Sequence, residues 1–122
     1  MRDPEISRAS EREEYFFEEG CFITESWNRP EDEACSIARA RVPVGVTTRV
    51  HWLEGIEERY VIIEGEGNVR VGDAPAQSVV PGDVVVIPAG CRQSIINTGS
   101  SDLLFYAICT PRFRVEAYYD AS

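Results

Sequence analysis

Two stretches of this chain hold glycine and proline at intervals of a few residues, with polar residues set between them. The first is Gly45-x5-His51-x-Leu53-x4-Glu58-x6-Gly65, and the second is Gly82-x5-Pro88-x-Gly90-x2-Gln93-x3-Asn97. The glycines and prolines cut the chain into short apolar runs, each too brief for a helix and each ended by a turn residue. That layout predicts an all-β fold.

The turns are explicit in the sequence. Pro43-Val44-Gly45, Glu64-Gly65-Glu66-Gly67, Gly72-Asp73-Ala74-Pro75, Pro81-Gly82-Asp83 and Pro88-Ala89-Gly90 all combine residues that preset or permit turn dihedrals. Between them the pattern predicts strands at 20–27, 34–42, 46–53, 58–64, 67–72, 76–80, 84–88, 93–97 and 102–109. The stretch 112–119 is expected either to add an edge strand or to pack back as a tail. Residues 1–14 alternate arginine with acidic residues and show neither period, so they are expected to form a mobile arm or a short frayed helix. Residues 15–119 then make one domain and 120–122 a tail. Strand spacing alone leaves a sandwich and a barrel equally open.

The chain has 122 residues, enough for one core. Its net charge of −9 repels nucleic acid and anionic membranes, so neither is an expected partner. No apolar run approaches the length of a membrane span, and the charged opening lacks the apolar stretch of a signal peptide, so a cytoplasmic location is expected. All twelve basic residues are arginine, which excludes Schiff-base chemistry on a lysine. Cys21, Cys35, Cys91 and Cys109 are widely spaced, and Cys21, Cys35 and Cys109 are expected to act as small buried apolar groups. Cys91 lies two residues before Gln93, which places it at the rim of any pocket that Gln93 lines.

The two motifs resemble the signature motifs of the cupin superfamily at every fixed position but two. Residues 37–109 look like a complete small cupin, a single-domain jelly-roll β-barrel. The phrases Glu-Arg-Tyr-Val-Ile-Ile-Glu-Gly-Glu-Gly at 58–67 and Pro-Gly-Asp-Val-Val-Val-Ile-Pro-Ala-Gly at 81–90 carry the same likeness. The departures are Leu53 and Gln93, where the resemblance implies the second and third histidines of a catalytic metal site. His51 is the only histidine in the chain, so a three-histidine site is excluded. What remains of the ligand set is His51 and Glu58, with Gln93 as a weaker oxygen donor. Such a set can hold Fe, Mn, Ni or Zn with waters completing the shell. Glu54 and Glu57 are spare carboxylates in a loop.

Strand alternation assigns further residues to the pocket. His51 facing inward carries Arg49 and Leu53 with it, Glu58 carries Tyr60 and Ile62, and Gln93 carries Ile95 and Asn97. Arg49, Leu53, Ile62 and Ile95 are therefore candidate substrate contacts, and Glu58 and Tyr60 are candidate base and acid. Arg39 and Arg41 either clamp an anionic substrate or lie on an outer or dimer-facing surface. Asn97 and the motif glycines are expected to be turn architecture. Trp52 faces away from His51 and is expected to be covered by a partner subunit or by N-terminal strands, in keeping with the homodimer the resemblance implies.

Three functions are consistent with these residues. One is a metal-dependent enzyme of the dioxygenase, isomerase, cyclase or lyase class acting on a small organic molecule. Another is a non-catalytic barrel that binds or senses a small ligand at a degenerate, metal-free site. The third is metal-free acid–base catalysis by His51 and Glu58.

Overall fold

The computed structural model describes residues 3–122, and the first two positions of the arm expected over 1–14 lie outside the described residues. Strand β1 is Tyr15–Phe17, β2 Cys21–Trp27, β3 Ser36–Val42, β4 His51–Leu53, β5 Glu57–Glu64 and β6 Gly67–Val71. Strand β7 is Gln77–Val79, β8 Val84–Ile87, β9 Gln93–Asn97, β10 Leu103–Thr110 and β11 Tyr118–Asp120. The only helical pieces among the described residues are 3-10 turns at Ala9–Glu11 and Val115–Ala117. All pairings are antiparallel. They build a six-stranded sheet in the order β1-β2-β3-β10-β5-β8 and a five-stranded sheet in the order β11-β4-β9-β6-β7. No helix is long and apolar enough to cross a membrane among the described residues.

Period-two burial drives the sheets together. On β5, Glu58, Tyr60 and Ile62 are buried while their neighbours are partly exposed, and β9 alternates in the same way at Gln93, Ile95 and Asn97. Val42, Ile62, Ile95, Leu103 and Phe105 meet in the main core, each at most 3% exposed. Burying each of these side chains contributes roughly 1.5–3 kcal/mol. A second cluster of Leu53, Ile56, Cys109 and Ala117 sits apart from it.

Two motif positions are explained by the backbone. A Cβ on Gly65, at φ +87°, would stand 2.7 Å from the Asp102 carbonyl oxygen. No side chain fits there, so glycine is required in this hairpin. Asn97 is 2% exposed; its amide nitrogen donates to the Val42 and Ser101 carbonyls at 2.8 Å each. Its oxygen accepts from the Gly99 amide at 2.9 Å, so it ties three chain segments together.

Two elements differ from the sequence expectation. The strand expected over 46–53 is paired as β4 only at its end, with one isolated bridge from Thr47 to Ile96. The Arg49 amide instead donates to the Glu19 carbonyl at 2.7 Å, which pulls this segment toward the β1–β2 turn. Strand β1 was not anticipated, because Tyr15-Phe16-Phe17 is too short to show a period. The 112–119 stretch does supply an edge strand, β11, which pairs with β4. Tyr119 of β11 stacks on Trp52 with ring centroids 4.5 Å apart, so the chain's own C-terminal strand covers this tryptophan. The N-terminal segment lies along β2, where Ser7 donates to the Ser26 carbonyl at 2.8 Å.

Candidate functional site

The barrel's inner face changes character along the strands. Val42, Ile62 and Leu103 close one end, and Ala40, Tyr60 and Phe105 begin a cavity of about 70 Å³ toward the other. His51, Leu53, Glu58, Tyr60 and Tyr118 line it. It shares Tyr15, Phe17, Glu25, Asn28 and Phe113 with a wider outer recess, which gives the cavity its mouth.

His51 is fixed on both sides of its ring. The Arg49 carbonyl can only accept, so the ring nitrogen Nδ1, 2.8 Å away, carries hydrogen and donates to it. On the far side Nε2 lies 3.1 Å from Oε2 of Glu19. A carboxylate also only accepts, so this contact is attractive only with a proton between the two atoms. The ring further stacks on Tyr118, with centroids 4.9 Å apart.

Glu19 and Tyr118 are site residues that sequence reasoning missed; Tyr118 reaches the cavity from β11, and Glu19 from the N-terminal hairpin. Glu19 sits in the turn between β1 and β2, where Gly20 at φ +105° reverses the chain. Its Oε1 accepts from the Cys21 thiol at 2.9 Å, which aims Oε2 at His51. The signal available was a carboxylate before the first turn glycine, and it became legible only once β1 and β2 were known to form a hairpin.

Glu58 faces the same cavity from β5 and is 8% exposed. Burial, reinforced by the negative charge of Glu19, pushes its carboxyl up to about 7, against the smaller opposing pull of the Gln93 amide and the Cys109 thiol. Oε2 receives a weak contact from the Cys109 thiol at 3.8 Å, and Oε1 has no hydrogen-bond partner in the protein. Tyr60 donates its hydroxyl to Oε1 of Gln93, and its ring packs on Phe105 at 4.3 Å. Burial and the charge of Glu58 raise the Tyr60 hydroxyl well above the ordinary tyrosine range. The acid role expected for Tyr60 is therefore poorly matched to its environment, and its hydroxyl instead orients Gln93.

Several expected contacts are not in the cavity. Arg49 points outward and pairs with Asp120 at 2.6 Å. It precedes β4 in an irregular stretch, so strand alternation does not govern it. Ile62 and Ile95 do face inward, but at 1% exposure they belong to the packed end and not to the cavity lining. Alternation assigns a face and not a depth. Ala38 and Ala40 line the cavity, so Arg39 and Arg41 face outward; Arg41 pairs with Glu14 at 2.8 Å. Glu54 receives the Tyr119 hydroxyl, Glu57 pairs with Arg59, and half-buried Cys91 packs against the core. Leu53 lines the cavity as expected of its strand face.

The donors present do not fit a metal. Both nitrogens of His51 are engaged, by a carbonyl and by Glu19. The Gln93 oxygen already accepts from Tyr60, and Leu53 offers only hydrocarbon where a third ligand would stand. No cluster of three or more His, Cys, Asp or Glu side chains suited to an ion occurs among the described residues. The set His51, Glu58 and Gln93 is thus brought to one end of the barrel without converging as ligands.

Residues 38–109 match the family model described as the cupin domain (Cupin_2). The chain belongs to the cupin family. This cupin is 37% identical over 79 residues to the oxalate-binding protein of Thermotoga maritima, an alignment covering 63% of each chain. It thus spans somewhat less than two thirds of that relative's length. Among solved structures it resembles KdgF from Halomonas sp., with TM-score 0.78 and 17% identity over 92% of this chain and 98% of that one. It also resembles Pac13, described as a nucleoside dehydratase, with TM-score 0.81 and 15% identity over 98% of this chain and 92% of that one. At these identities the structural likenesses establish the fold, a small cupin barrel.

Proposed function

We propose that this cupin is a small-molecule enzyme that works by metal-independent proton transfer, in the lyase or isomerase class. The observation that carries the reading is the contact of His51 Nε2 with Glu19, facing Glu58 across one cavity. Glu58 is the base, because its Oε1 is free of protein partners and its carboxyl is tuned close to neutral pH. His51 is the acid, with the Glu19 carboxyl 3.1 Å from its Nε2. In a dehydration Glu58 takes a proton from carbon, a carbon–oxygen bond breaks, and the proton held between His51 Nε2 and Glu19 passes to the departing hydroxyl, which leaves as water. One group gains a proton and the other loses one, so the step needs no oxidant. Pac13, by its description a dehydratase, supports this class of chemistry on a barrel of this shape.

The reading also takes the protein as a homodimer, for which exposed Val84 and Val86 on the edge strand β8 offer an apolar surface.

Because His51 is the sole histidine, its ring nitrogens can be followed individually by 15N NMR. The expected spectrum has hydrogen on Nδ1 and a proton shared at Nε2. Glu19→Gln should return Nε2 to a neutral imidazole signal, and added Zn, Mn, Ni or Fe should leave the wild-type resonances in place. A metal-dependent enzyme would instead show metal-induced shifts or broadening at Nε2. His51 resonances that are the same in wild type and Glu19→Gln would favour a non-catalytic binding barrel, the function suggested by the name of the Thermotoga relative.

A further inference from the structure

The cavity's charges and its two unsatisfied polar atoms specify what it binds. Its lining includes the carboxyl groups of Glu19, Glu25 and Glu58, and the only side chain there able to carry positive charge is His51, already matched to Glu19. No arginine lines the cavity itself: Arg39, Arg41 and Arg49 face outward, and Arg112 and Arg114 lie in the outer recess beside Glu25 and Glu116. With His51 already matched to Glu19, a dianion entering this chamber would meet the buried Glu58 carboxyl, and Glu25 on the way in, with no cation in the lining left to offset its charge.

Two buried atoms of the lining also lack any hydrogen-bond partner in the protein: Glu58 Oε1, which can accept, and the Tyr118 hydroxyl, which can donate. Buried polar atoms left unpaired cost about 1–3 kcal/mol each, so a native fold keeps them only where something else satisfies them. A ligand hydroxyl does both, donating to the carboxylate and accepting from the phenol. Aromatic rings from Phe17, Tyr60, Phe105 and Tyr118 supply the apolar faces against which the carbon frame of a polyol can pack.

We infer that the ligand is an uncharged molecule bearing hydroxyl groups, held between Glu58 Oε1 and the Tyr118 hydroxyl, and that the pocket discriminates against dicarboxylates such as oxalate. This rests on reading the barrel cavity as a small-molecule site, but not on the chemistry done there.

The test is binding at neutral pH by saturation-transfer NMR and calorimetry, with glycerol, erythritol and D-ribose as uncharged probes and oxalate and succinate as dianions. The expected result is binding of at least one polyol and none, or at least tenfold weaker binding, of either dianion. Tyr118→Phe keeps the ring that stacks on His51 and removes only the unpaired hydroxyl. It should weaken polyol binding by about tenfold while raising the melting temperature of the free protein, since an unsatisfied buried group is gone. A merely structural tyrosine would lower that temperature instead. Dianions binding as tightly as the polyols, an absence of polyol binding, or a Tyr118→Phe variant with unchanged affinity would each overturn the inference. None of these outcomes depends on the protonation of His51, which the 15N experiment reads in the ligand-free protein, so failure of one reading is distinguishable from failure of the other.

Discussion

Along β5, Glu58 and Tyr60 face the cavity, while Ile62, one pleat further, lies in the packed core at 1% exposure. Strands β3 and β10 make the same transition, from Ala40 to Val42 and from Phe105 to Leu103. One end of the barrel thus satisfies everything it buries: apolar chains interdigitate, and Asn97 uses both its nitrogen and its oxygen. The other end keeps Glu58 Oε1 and the Tyr118 hydroxyl unpaired and holds a carboxyl far from its ordinary range. Burial at the first end adds stability, and at the second the unpaired atoms cost some of it.

The largest test of that contrast is at the packed end. Ile62→Ala removes a branched side chain from a site with no room to relax, and should cost about 2–5 kcal/mol in denaturant unfolding. That is a large part of the roughly 5–15 kcal/mol typical of a domain. A loss near zero would show that the two ends are not energetically distinct.

The next effect lies at the cavity end and depends on pH. Burial raises the Glu58 carboxyl from 4.5 to about 7 in the folded protein. Between those values the folded state holds a proton that the unfolded state has released, so stability falls as pH rises. The contribution is neutral below about pH 4.5 and reaches its full cost, on the order of 3 kcal/mol, once pH passes about 7. Glu58→Gln cannot ionise and should flatten this part of the stability profile, gaining most over wild type at alkaline pH. An unchanged slope in the variant would mean that Glu58 is not the buried acid described here.

The packed end was far more legible in the sequence than the cavity end, and the reason is physical. Gly65, Gly82, Pro88, Gly90 and Asn97 are constrained by backbone geometry, which is local and leaves fixed gaps between residues. Period-two alternation then placed His51, Leu53, Glu58, Tyr60 and Gln93 on inner faces. It could not say how deep along a strand a residue sits, so Ile62 and Ile95 were drawn into the site although they fill the core. It also failed where no regular strand exists, which is why Arg49 was carried inward with His51. Glu19 was invisible for another reason. It reaches His51 through tertiary pairing, with the Arg49 amide bonded to the Glu19 carbonyl, across a gap in sequence that no local pattern spans.

Arg49 gives the smallest effect and the sharpest boundary between the two readings of that segment. Its guanidinium lies on the surface against Asp120, and exposed pairs of this kind add little to stability. What matters to the site is its backbone, since the Arg49 carbonyl accepts from His51 Nδ1 and the Arg49 amide donates to Glu19. Arg49→Ala preserves both bonds. It should leave the unfolding midpoint, the His51 15N resonances and polyol affinity unchanged within error. Loss of ligand affinity in that variant would return the arginine side chain to the binding site and, with it, the possibility of an anionic ligand. An unchanged variant would confine the site to the residues that face the cavity from β4, β5 and β11 and to the carboxylate supplied by the β1–β2 turn.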